Sequence, residues 1–398
     1  MDGTILVINC GSSSLKIALF DQQLNKLASG LAERLGKDDA FATLQGRQEP
    51  VRLPAGAGHK EALNALTSAL QGCGLLDDVP AAIGHRVVHG GETFRKAALI
   101  NDNVLAAIKD CADLAPLHNP VNLAGIEATT ALFPGVPQAA VFDTAFHQTL
   151  PRKAYLYAVP LQLYRDWGVR RYGFHGTSHQ FMVNESARIL GKTQATTSII
   201  SAHLGNGCSI TAIRDGISVD TSMGLTPLEG LVMGTRSGDV DPGLFDFLSV
   251  KGMASQEVHR LLNNDSGLLG LSGQTNDMRT LCELADHGHE PSQTAIDVFC
   301  FRLARYIGAM MASLTQLDAL VFTGGIGENS SLVRRKTLAH LTLFGFTIDD
   351  ELNDQHGSIS DGQIEGADSQ FRVLVIPTNE ELVIAREALA AAGPGIAD

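Results

Sequence analysis

Residues 5–20 read ILVINCGSSSLKIALF and carry the strongest structural signal in the chain. The first four residues are large and apolar, which favours a buried strand. The polar segment Asn9–Ser14 contains a glycine and predicts a turn, and the run Leu15–Phe20 predicts a second strand. The stretch as a whole therefore predicts a β-hairpin.

The same pattern returns about 190 residues later, where residues 198–213 read SIISAHLGNGCSITAI. This segment predicts a strand over 198–202, a turn over 203–207 and a strand over 208–213. Either turn alone is unremarkable, since glycine and asparagine favour turns in general. Two such hairpins, one near the start of each half, indicate two related α/β domains that face a cleft.

Predicted strands and helices alternate along the rest of the chain. The strands cover 81–88, 137–142, 319–323 and 371–377, and the helices cover 119–132, 178–190, 292–317 and the residues from 379 onward. A third glycine-bearing turn, 324–329, directly follows the strand 319–323. No low-complexity linker marks a boundary near residue 148. The sequence predicts an α/β protein of two domains.

Composition narrows the class of protein. A chain of 398 residues, 44% of them hydrophobic, suits two globular domains. The formal net charge of −13 argues against nucleic acid or an anionic membrane as the main partner. The six cysteines form no Cys-x-x-Cys pair, and no signal peptide or long apolar segment is recognisable. We therefore expect a cytoplasmic protein with reduced thiols.

Glycine-bearing turns directly after apolar strands indicate phosphate binding. Backbone N–H groups in such turns can converge on phosphate oxygens, and glycine lets the ligand approach the backbone closely. Each turn alone is a weak signal. Three turns in one chain, together with Lys16 and the hydroxyl groups of Ser12–Ser14, favour a nucleoside triphosphate site.

Two other motifs favour ordinary structural roles. Arg188–Thr193 ends like a Walker A loop, but Ser186 stands where the first glycine belongs and a helix precedes it, so a helix C-terminus is favoured. His175 and His179 have the spacing of zinc-protease ligands, but no glutamate follows His175. Ser178, which lies between them, suits a helix N-cap better than a helix interior.

Histidines and arginines are concentrated at the predicted strand ends. The segments concerned are 84–91, 117–120, 142–147, 170–175 and 234–239. Any one of these histidines could serve as a cap or a core hydrogen-bonding group. As a set they suit phosphoryl transfer between two anions, which needs several fixed cations and donors. Arginine is well suited to this role because its planar guanidinium binds carboxylate and phosphate through two parallel hydrogen bonds.

Seven segments, taken in order along almost the whole chain, resemble the acetate kinase family. They are VINCGSSSLK (7–16), HRVVHGG (85–91), FDTAFH (142–147), RYGFHGTSH (171–179), HLGNG (203–207), GGIGEN (324–329) and TNEE (378–381). The resemblance implies two duplicated ribonuclease-H-like domains of the actin-like ATPase type, with a nucleotide-binding cleft between them. It implies a first domain of 1–147 plus 377–398 and a second of 148–376. The C-terminal strand and helix would then return to the first domain.

The resemblance also implies a set of cofactor contacts. Asn9 and Glu380 would hold Mg²⁺, directly or through water, with Mn²⁺ as an alternative ion. The phosphates of ATP or ADP would contact Lys16, Ser12 and the turn His203, Leu204, Gly205, Asn206 and Gly207. The adenosine would contact Asp277, Met278, Arg279, Gly325, Ile326, Gly327, Glu328 and Asn329.

For the acceptor, the resemblance implies that Arg86 and Arg236 clamp the carboxylate and the transferring phosphoryl group, and that His175 donates to the transition state. Val88, Leu117, Phe174 and Pro227 would form the apolar pocket for the methyl group. Asp143 has the family role of a catalytic acid or base. A carboxylate acceptor is already ionised at neutral pH, however, so Asp143 is better interpreted as ordering an arginine or a metal-bound water. Proton transfer is the alternative.

The reaction implied is direct, reversible in-line transfer from MgATP to acetate, which gives acetyl phosphate and ADP. A homodimer is also implied by the resemblance. Three alternatives stay open: a propionate or butyrate kinase, a pyrophosphate-dependent enzyme, and a non-catalytic ATPase of the actin or chaperone type. The last predicts phosphate loops without the cluster of arginines and histidines.

Overall fold

The computed structural model describes residues 3–46, 49–76, 79–116 and 118–393. These residues divide into two units. The first unit runs to Gln148 and resumes at Asn379, and the second is Thr149–Thr378. The boundaries expected from the sequence, 147/148 and 376/377, lie within two residues of these positions.

Within the described residues, the first unit is built on an eight-stranded sheet with the order β5-β4-β3-β2-β1-β6-β8-β7. Its strands are β1 (Ile5–Cys10), β2 (Ser14–Phe20), β3 (Lys26–Glu33), β4 (Phe41–Leu44), β5 (Val51–Arg52), β6 (Ala82–Val87), β7 (Ala98–Leu99) and β8 (Gln138–Phe142). The helices that precede residue 148 are α1 (His59–Gln71), α2 (Asp102–Asp110) and α3 (Asn119–Leu132). The predicted hairpin is the antiparallel pair β1–β2, in which Asn9 lies opposite Lys16. β1, β6 and β8 are parallel.

The described part of the second unit contains a five-stranded sheet with the order β11-β10-β9-β12-β13. Its strands are β9 (Ile199–Leu204), β10 (Cys208–Arg214), β11 (Ile217–Thr221), β12 (Ala319–Thr323) and β13 (Arg372–Val375). Three antiparallel strands are followed by two parallel ones. The segment β3-β2-β1-β6-β8 of the first sheet has this same arrangement. The duplicated α/β architecture predicted from the two hairpins is confirmed.

The helices of the second unit surround this sheet in sequence. They are α4 (Arg152–Tyr155), α5 (Leu161–Trp167), α6 (Gly176–Ile189), α7 (Gly243–Val250), α8 (Ser255–Asn264), α9 (Gly267–Ser272), α10 (Met278–Asp286), α11 (Glu290–Met311), α12 (Gly324–Asn329), α13 (Ser331–Ala339) and α14 (Asp350–Asp354). The Walker-like segment is a helix C-terminus, as predicted, because α6 ends at Ile189 and Gly191 follows with a φ of +64°. Ser178 is not the N-cap of α6, since His175 occupies that position.

The last helix, α15 (Glu380–Ala392), belongs to the first unit. Its Ile384 packs in one apolar cluster with Ile5 and Val7 of β1, whereas Leu6 and Ile8 pack in a cluster on the other face of the sheet. Both faces of β1 are therefore covered, which explains its unbroken apolar run. Gly84 allows the close approach of α15, because a Cβ there would lie 2.7 Å from Ile384 Cγ2.

The expectation that the C-terminal strand also returns to the first domain is wrong. β13 pairs in parallel with β12, with Val373 opposite Leu320, so it completes the second sheet. An apolar run predicts a strand but does not say which sheet the strand joins. Only the helix after it crosses to the first unit. Across the described ranges, no helix is long and apolar enough to cross a membrane.

Candidate active site

In the first unit, three predicted site residues lie at the carboxyl ends of neighbouring parallel strands. Asn9 lies near the end of β1, Arg86 near the end of β6, and Asp143 directly after β8. The strand register pairs Ile8 with His85 and Val87 with Phe142, so all three residues reach the same edge of the sheet. This edge is where ligands bind in α/β sheets of parallel strands.

Arg86 and Asp143 form a bidentate ion pair at this edge. Arg86 Nε donates to Asp143 Oδ1 at 3.0 Å, and Arg86 Nη2 donates to Oδ2 at 2.6 Å. The Asp143 side chain is only 2% exposed and that of Arg86 is 22% exposed. Arg86 Nη1 also donates to Asn9 Oδ1 over a longer distance of 3.4 Å. Because both carboxylate oxygens of Asp143 accept from Arg86, the carboxylate orients the guanidinium.

The charges of this cluster affect one another. Burial raises the pKa of the Asp143 carboxyl, Arg86 lowers it, and the nearby carboxylate of Glu380 raises it further. Burial alone would lower the pKa of Arg86, but Asp143 and Glu380 outweigh it, and the pKa is raised. The arginine is therefore charged at every physiological pH. The structure thus brings Asn9, Arg86, Asp143 and Glu380 together.

The residues expected to hold Mg²⁺ offer oxygen donors, which this ion prefers. Glu380 begins α15, and Asn379 caps that helix by accepting from Leu382 N. Asn9 Oδ1 makes one long contact with Arg86 and retains a second lone pair. No cluster of three or more His, Cys, Asp or Glu side chains suited to a metal occurs among the described residues. Mg²⁺ typically binds to one or two carboxylates together with water and substrate phosphates, so these two residues fit it.

The predicted acyl-pocket residues are divided between the two units. Val88, in the first unit, is 8% exposed, and its N–H donates to Asn122 Oδ1 at 3.1 Å. It lies one residue beyond the end of β6, so the predicted strand 81–88 is one residue too long at this end. Phe174 is 2% exposed and Pro227 is half-buried, both in the second unit. Leu117 lies outside the described residues.

In the second unit, a cation and an imidazole border the predicted phosphate turn. A Cβ built on Gly207 would lie 3.4 Å from Arg236 Nη1 and 3.5 Å from His175 Nε2. The ring of His203 lies 4.3 Å from that of His175, between centroids. The turn itself is closed by a hydrogen bond from Gly205 N to Gly207 O. Arg236, His175 and the turn therefore form one local site.

The charge of Arg236 is not neutralised by any carboxylate within the part of the chain that the structure describes. Its Nη1 donates to Pro227 O at 3.1 Å and contacts Met233 Sδ at 3.7 Å. Burial lowers its pKa, and the thiol of Cys208 has a smaller opposite effect. A half-buried guanidinium paired only with neutral groups attracts an anion. Pro227 contributes a carbonyl group that holds this arginine.

A cavity of about 680 Å³ lies beside this turn, within the second unit. Its wall includes the predicted nucleotide residues Gly205, Asn206, Asp277, Met278, Arg279, Gly325, Ile326 and Asn329. Asp277 is also the N-cap of α10, where its Oδ1 accepts from Thr280 N at 2.8 Å. A volume of this size is typical of small-molecule and cofactor sites.

The remaining predicted nucleotide residues do not line that cavity. Leu204 is fully buried, so only its backbone is available. In the first unit, Ser12 is exposed, and Lys16 lines a different cavity of about 400 Å³ that also includes Glu381. The expected turn over 324–329 is instead the short helix α12.

Within α12, Glu328 has a structural role. Its Oε1 accepts from Gly324 N at 2.9 Å and from Thr378 N at 3.0 Å, so it fastens the helix start. Gly324 has a φ of +76°, and a Cβ there would lie 2.8 Å from Leu204 O, which makes glycine necessary at this position. Gly327 is buried against the backbone of Phe322. Glu328 and Gly327 are therefore corrected from nucleotide contacts to structural residues.

The model of the Acetokinase family matches residues 4–386. The acetate kinase of Chromobacterium violaceum is 51% identical over 397 residues, which cover 99% of both chains. The chain belongs to the acetokinase family. Acetate kinase 1 of Neisseria meningitidis serogroup B is 50% identical, with 98% of each chain covered.

Solved structures of the acetokinase family agree with this assignment. A propionate kinase from Francisella tularensis superposes with a TM-score of 0.92 at 44% identity, and covers 98% of this chain and 99% of its own. The acetate kinase of Porphyromonas gingivalis gives a TM-score of 0.90 at 39% identity, with the same coverage. The resemblance inferred from the seven motifs is confirmed.

Several cavity residues of this acetokinase were not predicted from its sequence. They are Asn276, Cys282, Glu283, Asp286, Ser330, Ser331 and Leu332. Three of them follow Arg279 on α10 at the helical spacings i+3, i+4 and i+7, so they share its face. Once Arg279 is placed at the site, this periodicity is a signal that finds Cys282, Glu283 and Asp286.

Proposed function

We propose that this chain is an acetate kinase, which transfers the γ-phosphoryl group of ATP to acetate and gives acetyl phosphate and ADP in a reversible reaction. The observation that carries this proposal is Arg236, a half-buried guanidinium without a carboxylate partner among the described residues, which lies with His175 against the turn Gly205–Gly207. The full-length identity of 51% to a protein named acetate kinase supports acetate as the acceptor.

Arg86 is suited to bind the acceptor carboxylate. Asp143 occupies the Nε and Nη2 edge of its guanidinium, so hydrogens of Nη1 and Nη2 remain on the adjacent edge. A planar guanidinium can present such an edge to a carboxylate through two hydrogen bonds. Asp143 thus acts as a positioning residue for Arg86, and Arg86 binds and orients acetate.

Phosphoryl transfer to acetate then needs orientation and charge stabilisation more than proton transfer. Acetate is ionised at neutral pH, so its oxygen can attack the γ-phosphorus in line without a general base. Arg236 and His175 donate to the phosphoryl oxygens, on which charge is distributed in the transition state. Mg²⁺, held by Asn9 and Glu380 with water and phosphate, offsets the negative charge of the phosphates.

Two related reactions compete with this proposal. The Francisella tularensis relative is a propionate kinase, so a longer acyl chain is the nearest alternative. A pyrophosphate donor is the other, and the cavity lined by Asp277–Arg279 and α12 argues against it because pyrophosphate has no nucleoside to fill that space.

The reaction class is tested by trapping the product with hydroxylamine. The purified protein is mixed with acetate, Mg²⁺ and either ATP or pyrophosphate, and acyl hydroxamate is measured. We expect hydroxamate with ATP and none above background with pyrophosphate. Hydroxamate formed with pyrophosphate alone, or ATP hydrolysis that does not depend on acetate, would reject the proposal.

The substitution Asp143→Asn tests the positioning role of this carboxylate. The amide retains one acceptor for Arg86 but loses the charge, so we expect kcat to fall about 10- to 100-fold while KM for acetate changes little. The pH dependence of kcat should have the same limbs in both proteins, because no proton is transferred. A limb that is present in the wild type and absent from the variant would indicate general acid–base catalysis by Asp143 instead.

The substitution Val88→Ala tests the acyl-chain preference. Val88 follows Arg86 closely and is almost fully buried, so its removal should make room beyond the bound carboxylate. One methylene is worth about 10- to 200-fold in specificity, and we expect the ratio of kcat/KM for propionate over acetate to rise about 10-fold. Thr129→Val, at a buried position on α3, is a control for general loss of packing. An unchanged ratio would mean that other residues bound the pocket.

We also propose that the protein acts as a homodimer in the cytoplasm. This rests on the family resemblance and on the absence of a recognisable signal sequence. Sedimentation equilibrium should give twice the mass of one chain, and the mass of a single chain at micromolar concentration would contradict the dimer.

A further inference from the structure

A chain of hydrogen bonds leads from His175 into the core of the second unit. His175 Nδ1 lies 2.9 Å from Ser209 Oγ, and Ser209 Oγ lies 2.8 Å from His179 Nε2. His179 Nδ1 in turn lies 2.9 Å from Ser201 Oγ. His179, Ser209 and Ser201 are all fully buried. His175 is the only member at the phosphate turn, where its Nε2 faces Gly207.

The hydroxyl group of Ser209 couples the protonation of the two imidazoles. A serine hydroxyl has one hydrogen, and a neutral imidazole has one N–H and one bare nitrogen. When both imidazoles are neutral, Ser209 donates to one histidine and accepts from the other. The tautomer of His179 therefore determines which nitrogen of His175 carries the hydrogen.

We propose that Ser209 and His179 are positioning residues that hold His175 in the neutral form with its hydrogen on Nε2, directed at the transferring phosphoryl group; this rests on the proposed function. In this arrangement Ser201 donates to His179 Nδ1, His179 Nε2 donates to Ser209, and Ser209 donates to His175 Nδ1. The opposite polarity would place the bare lone pair of Nε2 beside an anion site. Four buried groups are thus aligned to produce one donor.

The charged and titratable groups around His175 favour its neutral form. Arg236, from the loop before α8, lies against the same glycine and disfavours a second positive charge. His203 of β9 stacks at 4.3 Å, and His179 of α6 is linked through Ser209. Burial raises the pKa of the Cys208 thiol of β10 to about 12, so this group is neutral. Protonation of His175 at Nδ1 would also turn the hydrogen of Ser209 away from its acceptor inside the core.

The state of His175 is measured directly by ¹⁵N NMR on protein labelled at histidine, with its signals assigned by their loss in His175→Asn. At pH 7.5 we expect a protonated Nε2 and an unprotonated Nδ1 in the wild type. An unprotonated Nε2 would overturn the proposal. This measurement does not depend on activity, so it decides the point even if the wild type forms no acyl phosphate and the proposed function fails.

Kinetics distinguish positioning from a merely structural role. Ser209→Ala should lower kcat about 10- to 100-fold with KM for ATP and acetate changed less than about 3-fold, because only the orientation of a transition-state donor is lost. His179→Gln, whose amide N–H can replace Nε2–H, should stay within about 5-fold of wild-type kcat, whereas His179→Leu should resemble Ser209→Ala. Ser222→Ala is the matched control, since Ser222 is equally buried but its hydroxyl accepts from Ile210 N.

Two kinetic outcomes would contradict the proposal. One is a wild-type kcat in folded Ser209→Ala. The other is a His179→Gln variant that is no more active than His179→Leu while Ser209→Ala folds normally. Loss of folding in His179→Leu leaves the comparison of Ser209→Ala with Ser222→Ala to decide the result.

Discussion

Arg236→Ala should lower kcat by about 10²–10³ while the protein stays folded. The guanidinium borders Gly207 together with His175 and makes its hydrogen bonds to Pro227 O and Met233 Sδ rather than to a carboxylate. Its removal takes away a donor that is fixed before the reaction and leaves no buried carboxylate unpaired. The free energy of unfolding should therefore change by only about 1 kcal/mol. Steady-state kinetics and urea unfolding measure the two effects.

The control for Arg236→Ala is Arg260→Ala in the same unit. Arg260 is 76% exposed and pairs with Asp265 at 3.5 Å, so its loss removes the same charge from the surface. We expect wild-type kcat in that variant. Arg236→Lys tests geometry, because a lysine retains the charge but not the planar set of donors, and we expect partial activity. Wild-type turnover in folded Arg236→Ala would contradict the proposed role.

Arg86→Ala should lower kcat by a similar factor of about 10²–10³, and it should also destabilise the protein. The sequence alone suggests a large effect on kcat and a small one on stability. The ion pair changes the second expectation, because Asp143 is 2% exposed and would be left unpaired. Breaking a buried pair in this way costs about 3–5 kcal/mol. Urea unfolding of the variant beside the wild type measures the loss.

A double variant separates the two roles of Arg86. Arg86→Ala with Asp143→Ala removes both charges, so no carboxylate is left unpaired and most of the stability should return. The kcat should stay low, because the donor for the acceptor carboxylate is still missing. A double variant that regains activity along with stability would show that Arg86 acts only in the fold.

Much of the fold could be predicted from the sequence because apolar strands are bounded by glycine-bearing turns. The hairpins β1–β2 and β9–β10 follow from this alternation, and both are found at the predicted positions. The grouping of Asn9, Arg86 and Asp143 follows once their strands are known to be parallel. The bidentate pair itself could not be predicted, because Arg86 and Asp143 are 57 residues apart and no local pattern links them.

The error at 324–329 has a physical cause. Three glycines in six residues disfavour a helix on local propensity, so a turn is the natural prediction. Long-range contacts stabilise α12 instead. Glu328 fastens its start, and the buried Arg334 donates through Nη1 to the carbonyl groups of Gly327 at 2.8 Å and Glu328 at 3.0 Å. Such tertiary contacts are invisible to a reading of propensity and periodicity.

The most direct test of acetate kinase activity is the comparison of kcat/KM for acetate, propionate and butyrate with saturating MgATP, with acyl phosphate trapped by hydroxylamine. We predict that acetate has the highest value and that each added methylene lowers it about 10-fold or more. A value for propionate or butyrate that equals or exceeds that for acetate, or no acyl phosphate from any of the three acids, would contradict the proposed function.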